Sequence, residues 1–227
     1  MPRVANGLRL DRRLFRNRGD VFEAEYRPII GKHPGAIRLL AYQNRADAGT
    51  YTDAIRLATN GAAPDVTLTR RNGTLKYGFG LSLDQEITGD LGVFARLGWN
   101  DGKTESFAFT AIDRLATGGV SVSGRRWHRP NDTAASEITF SGISGVHALY
   151  LARGGYDFSI GDGRLQYAPE TIWETYYNAR LFPGFYASFD LERAANPAYN
   201  QDRGPVWMPS IRLHVEMGKN TFGGHKP

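Results

Sequence analysis

Residues 75–100, LKYGFGLSLDQEITGDLGVFARLGWN, decide how the rest of the chain is read. Leu75, Tyr77, Phe79, Leu81 and Leu83 alternate with Lys76, Gly78, Gly80, Ser82 and Asp84. After Thr88-Gly89-Asp90, Leu91, Val93, Ala95, Leu97 and Trp99 alternate with Gly92, Phe94, Arg96, Gly98 and Asn100. Successive side chains on a strand point to opposite faces of the sheet. Two runs of period two around a turn therefore predict a hairpin with one apolar and one mostly polar face. Phe94 is the large apolar exception on the polar face. Tyr77, Phe79 and Trp99 gather on the apolar face at the end away from the turn, where antiparallel pairing brings 77 and 99 together. About ten residues of alternation with an aromatic band at one end is the pattern of a transmembrane β-strand, apolar toward lipid and polar toward a wet interior.

The composition agrees with β-structure and tight turns: 27 Gly, 12 Phe, 11 Tyr and 4 Trp in 227 residues. Without cysteine, neither a disulfide framework nor a thiolate metal site can form. No run approaches the roughly 18 apolar residues of a membrane-spanning helix. The net charge of +5 is spread along the chain, with no Lys/Arg block interleaved with aromatics, which argues against nucleic acid as a partner. The first twenty residues, MPRVANGLRLDRRLFRNRGD, are basic and lack the apolar stretch of a secretory signal peptide.

Outward from the hairpin, the same alternation recurs. Strands are predicted over 21–30, 36–45, 119–127, 134–142, 171–181, 185–193 and 209–217, which with the hairpin makes nine. A short helix capped by Thr52 or Asp53 is expected at 52–59 and another at 145–152; 106–112 reads as partly extended loop. Residues 1–20 form an irregular segment, 21–217 the β-region, and 218–227 a polar tail.

Two regularities follow. The polar face collects Lys76, Arg96, Arg125, Glu174, Arg180, Asp190, Glu192, Arg212 and Glu216, too many charges for a dry core. Connection lengths also alternate: short near 31, 88, 130 and 183, longer at 47–73, 101–117, 143–170 and 196–205. Short turns at one end and long loops at the other characterise outer-membrane barrels. A soluble eight-stranded barrel would instead need a mostly apolar inner face. The predicted fold is thus all-β, an antiparallel transmembrane β-barrel. Bacterial single-chain barrels carry an even number of strands, so nine suggest the C-terminal part of a larger one.

Several segments together resemble the carbohydrate-selective porin family of Gram-negative outer membranes: GDLGVFARLGWNDGKTESF (89–107), GRRWHRPNDT (124–133), GGYDFSIGDGRLQY (154–167), PETIWETYYNARL (169–181), NPAYNQDRGPV (196–206) and the closing RLHVEM (212–217). The resemblance is dense over 74–217 and weaker over 21–46. It implies a sixteen-stranded barrel in the cell outer membrane through which sugars such as glucose diffuse past a constriction lined by polar and basic side chains, with no enzymatic turnover and no cofactor. The family usually ends on an aromatic residue directly after its last strand, where this chain has Met217 followed by GKNTFGGHKP. The partners implied are sugars, outer-membrane lipid, and either a missing part of the barrel or a second copy. A soluble or surface β-barrel that binds sugar or a lipid-like ligand, and a non-functional fragment, are the alternatives that the residues leave open.

On this reading Arg38, Lys76, Arg96, Arg125, Arg180 and Arg212 line a sugar path, paired in part with Glu174, Asp190 and Glu192. Guanidinium groups offer several donors to clustered hydroxyls. Tyr42, Phe94, Tyr176 or Tyr186 would stack on sugar rings. The competing role for each charge is cross-strand pairing and hydration of the wall. Outward Trp99, Trp173, Tyr77, Tyr177, Phe107 and Phe185 would form interfacial girdles, or pack against a neighbouring subunit. His147, near Ser141 and Ser144, lacks a nucleophile-elbow context and reads as a loop histidine. The five histidines have no metal-ligand spacing.

Overall fold

The computed structural model describes residues 8–10, 12–13, 15–107 and 111–217. Ten antiparallel strands build one sheet: β1 (Arg18–Tyr26), β2 (Ile29–Ile30), β3 (His33–Ala48), β4 (Arg71–Thr88), β5 (Leu91–Asn100), β6 (Arg114–Ser123), β7 (Thr133–Gly142), β8 (Glu170–Phe182), β9 (Phe185–Ala195) and β10 (Val206–Val215). The two-residue β2 pairs only with β3, so the path β1-β3-β4-β5-β6-β7-β8-β9-β10 has the nine strands expected from the alternation. β1 and β10 are its edges, and the sheet is not closed among the described residues.

Register follows from the hairpin. Gly89-Asp90 turns the chain, and Thr88 Oγ1 accepts hydrogen bonds from the Asp90 and Leu91 amides at 3.3 and 3.1 Å. Phe79 then faces Trp99, Leu81 faces Leu97 and Leu83 faces Ala95, so these large outward side chains have apolar partners, while Val93 faces Gln85. Phe79 rather than Tyr77 is the direct partner of Trp99. Tyr77 reaches the indole diagonally, with centroids 5.7 Å apart.

The sheet has almost no dry core of its own. Apart from alanines such as Ala36, Ala46 and Ala194, the buried apolar residues come from the connections: Tyr51, Ala54, Val66, Ala111, Ile143, Tyr150, Leu151, Ile160, Leu165 and Tyr199 form one cluster. Helices α1 (Tyr51–Leu57) and α2 (Gly145–Ala152) lie in that cluster. The long connections all sit at one end of the meander, as their lengths predict, and the short turns at the other.

Aromatics mark both ends of the outer face. Tyr77, Phe79 and Trp99 cluster near the long connections, and Trp173 meets Trp207 edge-on at 6.3 Å. Toward the short turns, Trp127 Nε1 donates to Tyr177 Oη at 3.0 Å, and Phe182 stacks on Phe185 at 4.7 Å. Phe107 is a correction: it lies in the β5–β6 connection beside Tyr42 and Lys76, on the opposite face from the girdles.

Boundaries differ where local chemistry competes with alternation. The predicted strand 21–30 begins earlier, at Arg18, and breaks at Arg27-Pro28, since proline has no amide to donate to a ladder. The strand expected at 119–127 runs instead over Arg114–Ser123. Gly124–Trp127 forms a 3₁₀ turn closed by His128 in the left-handed region (φ 64°), which takes Arg125 off the wall. The last strand runs from Val206 to Val215 rather than 209–217. Thr50, not Thr52 or Asp53, caps α1, its side chain accepting from the Asp53 amide. Residues 108–110 and 218–227 lie outside the described residues.

Candidate functional site on the inner face

The face against which the long connections fold is the inner one, and it carries the polar half of each strand. On β3–β5 it is basic. Arg38 donates to Glu25 and to Asp84, and Arg96 reaches the other Asp84 oxygen at 3.8 Å. One carboxylate thus holds two guanidiniums. The Arg96 guanidinium also lies 4.8 Å from the centre of the Phe94 ring. Two aromatics lie flat on this wall because glycine gives them room. A β-carbon at Gly78 would stand 2.7 Å from the Tyr42 ring, and one at Gly119 2.6 Å from the Phe94 ring.

On β7–β9 the wall turns acidic. Cross-strand register aligns Glu137 with Glu174 and Glu174 with Glu192, and places Asp190 in the next row opposite Tyr176 and Ser210. Like charges directly opposite each other repel. Glu137, Glu174 and Glu192 take part in no ion pair among the described residues. Arg212, on β10, lines the same recess of about 590 Å³ as Glu174, Asp190 and Tyr186.

The connections fold back over part of this wall and interlock. Thr50 bridges Thr104, the Tyr51 amide donates to Lys103 O, and the Glu105 amide to Gly49 O. The buried Glu105 takes both arms of Arg70 at 2.8 Å and the Gly49 amide at 2.7 Å. Tyr199, from the β9–β10 connection, donates its hydroxyl to Ala111 O. Under residues 104–107 lies a cavity of about 330 Å³ lined by Tyr42, Lys76 and Phe107, in which Lys76 Nζ donates to Thr104 O at 3.3 Å.

At the centre of this plug His147 is fully buried between two aspartates. Its Nδ1 is 3.1 Å from Asp113 Oδ2 and its Nε2 3.0 Å from Asp157 Oδ2. The second contact lies off the line of an ideal hydrogen bond and is chiefly electrostatic. Tyr51 stacks on the imidazole at 4.2 Å and donates its hydroxyl to Asp157. The Ser144 amide donates to Asp113 at 2.8 Å. Burial disfavours the charged ring, but the two carboxylates outweigh it and raise the His147 pKa. Burial likewise pushes Asp113 and Asp157 up, and hydrogen bonds, foremost with His147, bring both below the ordinary carboxylate value.

The structure therefore groups the predicted residues in three places. Arg38, Arg96 and Phe94 share the basic wall, Tyr42 lies between it and Lys76 under the β5–β6 connection, and Glu174, Asp190 and Arg212 line the acidic recess. Arg180 lies near the short turns, where its amide donates to Asp132. Arg125 stands exposed on the 3₁₀ turn, 3.9 Å from Asp90, apart from all of these. The His147 network is not expected from the sequence: the residue is buried, and it lies within the helix expected at 145–152 rather than in a loop. That helix is α2, capped by Ser144, whereas nothing local points to Asp113 or Asp157. No cluster of His, Asp or Glu among the described residues could hold a metal ion.

The family model of the carbohydrate-selective porin, OprB family, matches residues 19–217. The chain belongs to that family. Among solved structures, Pseudomonas putida OprB, determined at high pH, superposes with a TM-score of 0.73 over 92% of this chain and 51% of its own, at 17% identity. At that identity the likeness shows the fold alone: the antiparallel sheet is one that a porin barrel contains. The chain spans about half the length of that porin. A search of curated proteins finds no match. The OprB family is a family of outer-membrane proteins, and the two faces of this sheet differ in the way the wall of a membrane barrel requires.

Proposed function

We propose that this chain forms the wall and inner loops of an outer-membrane channel through which sugars diffuse passively, without turnover or cofactor. The observation that carries the reading is the division of the sheet. The outer face is apolar with aromatics toward both ends, while the inner face is charged and partly covered by interlocked loops. Residues 21–217 act as the barrel region, with outer-membrane lipid against Trp99, Trp173 and Tyr177, and further strands or a second copy meeting the edges β1 and β10.

In this reading Arg38 and Arg96 present donors to sugar hydroxyls from a carboxylate-fixed geometry, and Tyr42 and Phe94 offer flat faces to sugar rings. Lys76 holds the β5–β6 connection where it narrows the path. Glu174, Asp190 and Arg212 hydrate and polarise the opposite wall. Arg125 and Arg180, nearer the short turns, serve the channel mouth.

The test is single-channel conductance in planar bilayers after refolding in detergent, with glucose or maltodextrin added. Steps that sugar blocks in a concentration-dependent way support the reading. A monodisperse protein that needs no detergent would sink it.

A further inference from the structure

We propose that His147 is the positioning residue of the inner loops: clamped as an imidazolium between Asp113 and Asp157, it holds them on the inner wall, and losing its proton releases them. The proposal rests on the channel reading above only for its effect on conductance.

Four separate pieces of chain meet at one ring: Tyr51 from α1, Asp113 from the end of the β5–β6 connection, His147 from α2, and Asp157 from the segment after it. These connections also share a buried apolar cluster and the Glu105 anchor, but His147 is the group that faces both buried carboxylates. A neutral imidazole has one N–H and could satisfy one carboxylate only; the charged ring has two. Two buried carboxylates with no cation between them would be costly.

The other titratable groups around the ring do not replace it. Tyr51 and Tyr150 both have their pKa raised, first by burial, and stay neutral donors. Lys76 acts on Asp113 only at longer range and is engaged with Thr104, and Asp101 adds negative charge. Among the described residues Asp113 Oδ1 has no hydrogen-bond partner, so the carboxylate depends on its other oxygen, where His147 and Ser144 bind.

The sign follows from linkage. A raised histidine pKa stabilises the folded loops fully below the unfolded imidazole value, and this is lost as pH rises through the folded value. The lowered aspartates contribute above the unfolded carboxylate value and are lost as pH falls through their folded values. The clamp is therefore firm between these limits and opens on the alkaline side when the ring deprotonates.

The experiment uses the full chain refolded in detergent and two readouts. Amide exchange followed by mass spectrometry, corrected for intrinsic base catalysis, is measured across pH for peptides covering 49–57, 101–107 and 143–160. Wild type should keep these amides protected at mildly acidic to neutral pH and lose protection above the His147 titration. H147Q should exchange roughly a hundredfold faster at neutral pH, with the alkaline step gone. Because H147Q could fail to fold, ¹³C-histidine NMR of the wild type gives an independent reading: one of the five histidines should titrate above the ordinary imidazole range. A His147 resonance at or below that range, or an alkaline step that survives in H147Q, overturns the proposal. Conductance over the same pH range separates the two readings. A rise with loop release supports both, whereas pH-dependent protection with flat conductance supports the clamp and overturns the role of these loops in narrowing the path.

Discussion

The Phe94 ring on β5 lies over the α-carbon of Gly119 on the adjacent β6, and these two residues are direct cross-strand partners. A β-carbon at 119 would stand 2.6 Å from the ring and 2.8 Å from the Ser136 carbonyl oxygen, too close for either to remain where it is. Gly119→Ala should therefore push the ring off the wall toward the interior and strain the β6–β7 ladder, costing about 1–3 kcal/mol. Denaturant unfolding in detergent measures the cost, and single-channel current should fall as the ring protrudes. Unchanged stability and current would show that the ring does not hold this position.

Glu105 is the second anchor of the plug. Its buried carboxylate receives both arms of Arg70 and the Gly49 amide, joining the β3–β4 and β5–β6 connections. Glu105→Ala leaves a part-buried guanidinium and a backbone donor without their acceptor, which should cost about 3–5 kcal/mol. The expected result is faster amide exchange at residues 49–53 and in 101–107, with strand amides distant from the plug unaffected. Loss of protection spread evenly over the sheet would place the effect elsewhere.

The sheet was legible because its period-two alternation is local: Leu75–Leu83 and Leu91–Trp99 declare a hairpin by themselves, and the lengths of the connections give the two ends. The inner residues Arg38, Lys76, Arg96, Glu174 and Arg212 followed from parity alone. What alternation cannot give is the fold of the connections. Alternation alone puts Arg125 on the wall by continuing a strand that the Gly124 turn stops, and puts Phe107 outside by parity in a segment that is not a strand. The His147 clamp joins residues 34 and 10 positions apart in sequence with a tyrosine from a third connection. Such contacts depend on tertiary packing and leave no trace in a single stretch of sequence.

Asp132 gives a pH-dependent stability at the short-turn end. It is buried and accepts from Arg129, from the Tyr177 hydroxyl at 2.6 Å and from the Arg180 amide at 3.0 Å. Burial alone would raise its pKa, but these donors lower it below the ordinary carboxylate value. Its contribution is thus present above the unfolded carboxylate pKa and is lost as pH falls through the lower folded value. Asp132→Asn should lower stability by about 2 kcal/mol at neutral pH, and the difference from wild type should shrink on acidification. Melting temperatures in detergent at neutral and acidic pH check this. A gap that widens in acid would contradict the assignment.

The row Glu137–Glu174–Glu192 sets three carboxylates side by side across β7, β8 and β9, at a cost in repulsion that a purely structural wall would have no reason to keep. Removing the central charge relieves two unfavourable neighbours at once. Glu174→Gln should hold or raise stability by roughly 0.5 kcal/mol. The opposite wall, with Arg38 and Arg96 sharing Asp84, is unaffected, so the balance of fixed charge in the channel shifts toward positive. The reversal potential in a KCl gradient should accordingly move toward anion preference in E174Q, and Arg96→Gln should move it the opposite way. If the two variants shift the potential in the same direction, or neither shifts it, these walls do not face a common ion path.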